Sequence, residues 1–162
     1  MNAIDLLKEQ HAALKALFKK IGKAEEADEK EELFTKIADD LAVHAAIEEK
    51  YFYPATKTTR TEELLREAVE EHLSQKRVIA DLLDCPPDDP QFDAKIKVLM
   101  DAVQRHMEEE ENDLFPKVKK LLDKDQLKTL GAQMEETAEE LKAEGSPRLR
   151  VPGETAAPAP LD

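Results

Sequence analysis

Four stretches of this chain carry apolar residues at alternating steps of three and four, and that period leaves little choice of architecture. The first stripe is Ile4, Leu7, His11, Leu14, Phe18 and Ile21, ending at Gly22. The second is Phe34, Ile37, Leu41, His44, Glu48 and Tyr51, closed by Pro54. The third opens near Thr61, a residue type suited to cap a helix ahead of Glu62 and Glu63, and carries Leu65, Ala68, His72, Ile79 and Leu83. It breaks at Cys85-Pro86-Pro87-Asp88-Asp89-Pro90. The fourth is Phe92, Ile96, Leu99, Val103, His106, Glu110 and Leu114, with Pro116 beyond. Short connections favour antiparallel neighbours, so the pattern predicts an all-α, up-down-up-down four-helix bundle.

A fifth stretch, from about Asp125 to Leu141, has Leu127, Leu130, Met134 and Leu141 at helical spacing and should pack on the outside of the bundle, although Gly131 weakens that reading. From Gly145 onward prolines 147, 152, 158 and 160 crowd a short segment, which reads as a disordered tail. The expected organisation is one bundle domain over residues 1–144 and a tail over 145–162. The chain has no Trp and only 4 Gly, which fits helices and excludes a β-rich fold. Its net charge of −13 repels phosphate backbones and anionic lipid heads, so neither nucleic acid nor a membrane surface is an expected partner. A single cysteine, Cys85, can form neither an internal disulfide nor a thiolate zinc site. No apolar run approaches the roughly 20 residues needed to span a bilayer. Met1-Asn2-Ala3-Ile4-Asp5 enters helical spacing with no basic-then-apolar leader, and a soluble cytoplasmic protein is expected.

The stripes are interrupted by the wrong residues. His11, His44, His72 and His106 are all the histidines of the chain, and each lies on the core-facing stripe of a different helix. Glu48 and Glu110 lie there too, each four residues after a histidine and therefore on the same helix face. Counted along helices of alternating direction, the four histidines fall at similar depth, about eight to eleven residues from one end of the bundle, so that all six side chains can meet in one layer. One core histidine is unremarkable, but an ionised carboxylate is almost never buried without a cation. Lys76 is the one nearby side chain that could compensate a glutamate. Four imidazoles and two carboxylates at one level of a core call for metal.

An internal repeat supports this. His44-Ala45-Ala46-Ile47-Glu48-Glu49-Lys50-Tyr51-Phe52-Tyr53-Pro54 aligns without gaps on His106-Met107-Glu108-Glu109-Glu110-Glu111-Asn112-Asp113-Leu114-Phe115-Pro116. The chain thus reads as two helical hairpins, each supplying His, His and Glu. That donor set suits a pair of borderline transition-metal ions, iron above all, better than the oxygen-seeking calcium or magnesium.

With His11, the His44-x3-Glu48 pair, His72 and the His106-x3-Glu110 pair in this order, residues 3–120 resemble the hemerythrin HHE cation-binding family, as found in bacterial hemerythrin-like proteins. The resemblance implies two iron ions in an oxo- or hydroxo-bridged centre, with Glu48 and Glu110 bridging and His11, His44, His72 and His106 as terminal ligands. The oxygen-carrying members have a further histidine where this chain has Lys76, which leaves ligand positions open and argues against simple oxygen carriage. Tyr53 is a candidate replacement ligand, since related bacterial proteins place a tyrosine before this proline at the iron. Against it, Tyr53 is out of helical phase with His44 and Glu48, and its repeat mate is Phe115. Glu49 and Glu111 could support the ligands but are expected on solvated helix faces.

The expected function is chemistry on a small oxygen species, with catalase-like breakdown of hydrogen peroxide first. Reversible binding or sensing of dioxygen or nitric oxide without turnover is the alternative, and a purely structural metal clamp is a third.

Overall fold

The structure, a computed structural model, describes residues 1–161. Helix α1 spans Ala3–Lys23, and the Asn2 side chain caps it by accepting from the Asp5 backbone N–H at 2.8 Å. Lysines 20 and 23 sit in its last turn, where the helix dipole favours positive charge. Helix α2 spans Ala27–Ile47 and runs on through a π-helical turn, Glu48–Phe52, into the short α3, Tyr53–Thr56. Helix α4 covers Glu62–Leu83 and α5 covers Pro90–Glu109, with Asp89 as N-cap and proline at the first position. A second π turn, Glu110–Leu114, leads into α6, Phe115–Leu121. Helix α7 spans Lys124–Glu144 behind a capping box made by Asp123 and Gln126. No strand occurs among the described residues, and no helix there is long and apolar enough to cross a membrane.

Helices α1, α2, α4 and α5 form the up-down-up-down bundle the sequence predicts, and α7 packs outside it against α1 and α2. Gly131 is what lets α7 come close. A Cβ there would collide with the backbone of residues 1–3, so the glycine that weakened the helix reading is required by the approach of the N-terminus.

Two expectations fail locally. Thr61 precedes α4 but makes no capping bond. Its hydroxyl instead donates to the Thr56 carbonyl at 2.6 Å and accepts from the Thr58 N–H at 2.8 Å, tying the loop rather than the helix. The tail is not disordered either. After Gly145 at φ 85° the chain turns back, forms a 3-10 helix over Pro147–Glu154, and lies against α2 and α4. Val151 enters the core, Leu161 is buried, and Arg148 forms a two-pronged pair with Asp39 at 3.2 Å. Proline density misled here because proline also restricts the unfolded chain, which favours any fixed conformation it can fit.

The core is split in two. One apolar cluster holds Leu7, Ile47, Leu65 and Leu114; the other holds Leu14, Leu41, Ile79 and Val103. Along each helix a histidine stands between the two clusters, so the polar residues form a layer across the middle of the bundle.

Candidate metal centre

His11, His44, His72, His106, Glu48 and Glu110 meet in that layer, each no more than 4% exposed. They arrange as two groups of three, His11 with His44 and Glu110, and His72 with His106 and Glu48, the ligating atoms of each group lying within 4.8 Å of one another. Each hairpin thus contributes two histidines to one group and its glutamate to the other. Glu48 Oε1 is 3.2 Å from the Nε2 atoms of both His44 and His72. Glu110 Oε1 is 3.3 Å from His11 Nε2 and 3.5 Å from His106 Nε2. Either carboxylate therefore reaches both groups.

The outward-facing nitrogens decide which atoms point inward. His11 Nδ1 donates to Glu111 Oε2 at 2.9 Å, His44 Nδ1 to Gln10 Oε1 at 2.6 Å, His72 Nδ1 to Glu49 Oε2 at 2.8 Å and His106 Nδ1 to Glu71 Oε1 at 2.8 Å. A neutral imidazole that spends its proton on Nδ1 presents a bare lone pair at Nε2. The Nε2 atoms of His11 and His44, both Glu48 oxygens and Glu110 Oε1 are buried without a hydrogen-bond partner. A closed layer of acceptors facing acceptors is a severe fault in a core unless cations occupy it, and histidines fixed through Nδ1 are how proteins orient metal ligands. The donor set fits metal.

Without a cation, protons do part of that work. Burial opposes a charged His106, but the carboxylates around it, Glu110 foremost, outweigh burial and hold its pKa well above the usual histidine value. His11 and His72 are raised for the same reason, burial being outweighed at His11 mainly by Glu110 and at His72 mainly by Glu48 and Glu49. The two glutamates part company. Burial and then the charge of Glu48 raise Glu110, whereas Glu48 is held well below the carboxylate range because its imidazole neighbours, His44 first, overcome burial.

Tyr53 stands in the layer, contrary to its helical phase. The π turn inserts one extra residue after Glu48, so the Tyr53 N–H bonds back to the Glu48 carbonyl and the ring swings onto the site face. Its hydroxyl donates to Glu110 Oε2 at 2.8 Å and lies 3.3 Å from the Nε2 atoms of His72 and His106. The second π turn places Phe115 equivalently, stacked on His11 with ring centroids 5.9 Å apart. Only one half of the centre therefore has a phenol beside it.

Glu49 and Glu111, expected on solvated faces, are the acceptors for His72 and His11. Gln10 and Glu71 were not foreseen at all. The repeat held the clue: each immediately precedes the leading histidine of its hairpin. Lys76 does not compensate Glu48 or Glu110; it bonds both oxygens of Glu49, each at 3.0 Å. Access is narrow. A cavity of about 10 Å³ between α4 and α5 has buried His106 and Glu110 in its wall and Glu67, Glu71 and Glu109 around it, room for one water-sized molecule.

The hemerythrin HHE cation binding domain model matches residues 2–118, a span that contains all six of these side chains. This chain belongs to the hemerythrin HHE cation-binding family. A crystal structure of an HHE cation-binding domain-containing protein from Mycobacterium kansasii, a homologue of Rv2633c, superposes with a TM-score of 0.76 at 28% identity, covering 93% of this chain and 99% of that one. The Mycobacterium tuberculosis protein Rv2633c, uncharacterized by name, is 30% identical over 94% of this chain and 95% of its own length. A DNA nickase from Nostoc sp. is 28% identical over 126 residues; the match takes in 78% of this chain but only 36% of the nickase. As an HHE domain the chain is a metal-binding protein, and its His/Glu layer is where a metal can sit.

Proposed function

We propose that this HHE domain holds two iron ions and breaks down hydrogen peroxide. His11, His44 and Glu110 would hold one ion and His72, His106 and Glu48 the other, with both carboxylates shared and Tyr53 a candidate further ligand at the second. The observation that carries the reading is the set of buried, partnerless nitrogen and oxygen atoms turned toward one another while every Nδ1 is bonded outward. When bound, an iron pair supplies a two-electron reservoir, which is what the conversion of two hydrogen peroxide molecules to two waters and dioxygen requires.

The chain's own residues set the conditions. Apolar clusters on both sides exclude bulk water, and the α4–α5 cavity suits a very small neutral molecule. The Tyr53 hydroxyl holds a proton 2.8 Å from Glu110, inside the layer. The net charge of −13 disfavours nucleic acid, so the nickase resemblance is not carried over to this chain. A reducing cytoplasmic setting agrees with the lone free cysteine.

Elemental analysis of the purified protein, followed by peroxide consumption, tests the reading. Two irons per chain and dioxygen release from peroxide are expected, and Glu48→Ala should lose both. Two irons with tight dioxygen or nitric oxide binding but no peroxide consumption would turn the reading to a sensor or store. Absence of metal, or one zinc, would end it.

A further inference from the structure

The C-terminal segment reaches the metal centre through a file of charged side chains. Glu154, the last residue of the 3-10 helix, lies 3.2 Å from Lys76 Nζ. Lys76 Nζ donates to both oxygens of Glu49 at 3.0 Å, and Glu49 Oε2 accepts from His72 Nδ1 at 2.8 Å. The Lys76 side chain is 8% exposed, so its charge cannot be left to water and must be met by carboxylates. Glu49 meets it while also serving His72, and Glu154 supplies the second negative charge.

The other three acceptors lack such support. Gln10 is neutral. Glu71 has Arg105 at 4.0 Å and Glu111 has Lys15 at 4.0 Å, and those cations are 68% and 46% exposed. Pairs that open to water hold geometry weakly. The spacing explains why Lys76 can do what they do not: it is one helical turn beyond His72 on the same face of α4, while Glu49 comes across from the first π turn.

We infer that Lys76 and Glu154 are positioning residues for His72, so that seating of the C-terminal segment over α2 and α4 fixes one of the two ligand groups and leaves the other alone. The inference rests on reading the six-residue layer as a two-metal centre. Without Lys76, Glu49 is free to turn outward. His72 Nδ1 then loses its acceptor, and nothing holds the tautomer that presents Nε2 inward. Loss of such a supporting contact generally weakens metal retention about 10- to 100-fold.

The test compares the full-length protein with Lys76→Met, Lys76→Arg and Glu154→Gln, each loaded anaerobically with ferrous iron and then challenged with a chelator. Iron content and the release rate of each ion are read, together with thermal unfolding of the metal-free forms. In Lys76→Met one of the two ions should leave about 10-fold faster or more, with the other unchanged. Lys76→Arg should recover most of the loss, because a guanidinium can still span both Glu49 oxygens, and Glu154→Gln should show a smaller loss at the same ion. Release of both ions at wild-type rates in Lys76→Met and Glu154→Gln would overturn the positioning role while leaving the two-metal reading intact. So would equal acceleration of both ions in step with a lowered unfolding temperature. A wild-type protein that takes up no iron would remove both. Should Lys76→Met fail to fold, Glu154→Gln decides, since Glu154 is half exposed and outside the bundle core.

Discussion

His44 Nδ1 donates to Gln10 Oε1 at 2.6 Å, and Gln10 is the one uncharged acceptor among the four that orient the imidazoles of the layer. Its equivalent in the second hairpin, Glu71, serves His106 with a carboxylate. The centre is therefore two-fold in its plan and unequal in its charges, and the half nearer Gln10 has the weaker hold on its histidine.

Gln10→Leu strands the His44 Nδ1–H without a partner in a part-buried site. A donor left unsatisfied in this way costs about 1–3 kcal/mol. The expected result is that loss in urea unfolding of the metal-free protein, with weaker retention of one metal ion. Gln10→Glu restores an acceptor and makes the two hairpins alike, so it should retain metal at least as well as the wild type. If Gln10→Leu unfolds at the wild-type urea concentration, the His44 contact carries no weight.

Tyr53 offers a second test of the inequality. Burial and then the Glu110 carboxylate push its phenol well above the usual tyrosine value, so the hydroxyl keeps its proton in the metal-free protein. A nearby metal ion reverses that balance by favouring the phenolate. On the proposed two-iron reading, Tyr53→Phe should keep both ions, because the six other donors remain, but lose a visible absorption band of phenolate on ferric iron. An unchanged spectrum would reduce Tyr53 to a hydrogen-bond donor for Glu110. In the metal-free form the substitution should cost about 1–3 kcal/mol, the price of a bond to a buried charged acceptor.

Gly131→Ala would ordinarily stabilise a helix interior by about 1 kcal/mol. At this position the added Cβ meets the backbone of residues 1–3, which cannot yield as a flexible side chain would. Overpacking of that kind costs about 1–3 kcal/mol, so the sign should reverse and the melting temperature should fall. A rise in melting temperature would show that the N-terminus can lift away freely.

Gly131 also shows where sequence reasoning stops. The stripes, the antiparallel order and the six-residue layer were legible because helical period and depth are local quantities that add along the chain. Whatever depended on a non-local approach was not. Gly131 looked like a flaw until the N-terminus was seen against it. The segment read as a disordered tail holds Val151 and Leu161, both buried, and they seat it. The helical-phase argument against Tyr53, a residue the sequence already named as a candidate ligand, failed for a different reason: period counting assumes an unbroken α-helix, and one π turn shifts every later residue by about 100°. The repeat carried the matching signal, since both π turns begin at the glutamates, Glu48 and Glu110. Gln10 and Glu71 escaped notice because a polar residue beside a buried histidine is indistinguishable in sequence from one on a solvated face.

The pH response of the metal-free protein follows from the same layer. His11, His72 and His106 all have folded-state values raised above that of a free histidine, burial being outweighed by neighbouring carboxylates. A group raised in this way contributes stability that is fully present below the unfolded value, about 6.5, and is lost as pH climbs through the folded one. Glu110, also raised, acts in the same direction at its own lower unfolded value, about 4.3. Metal-free protein should therefore melt at progressively lower temperature as pH rises above about 6.5. Metal binding has the opposite slope, since each ion must displace these protons, and retention should strengthen over the same interval. Melting curves of metal-free and iron-loaded protein across this range should diverge with rising pH. Parallel curves would mean that the imidazoles carry no protons for metal to displace, and that the layer is not organised around a cation.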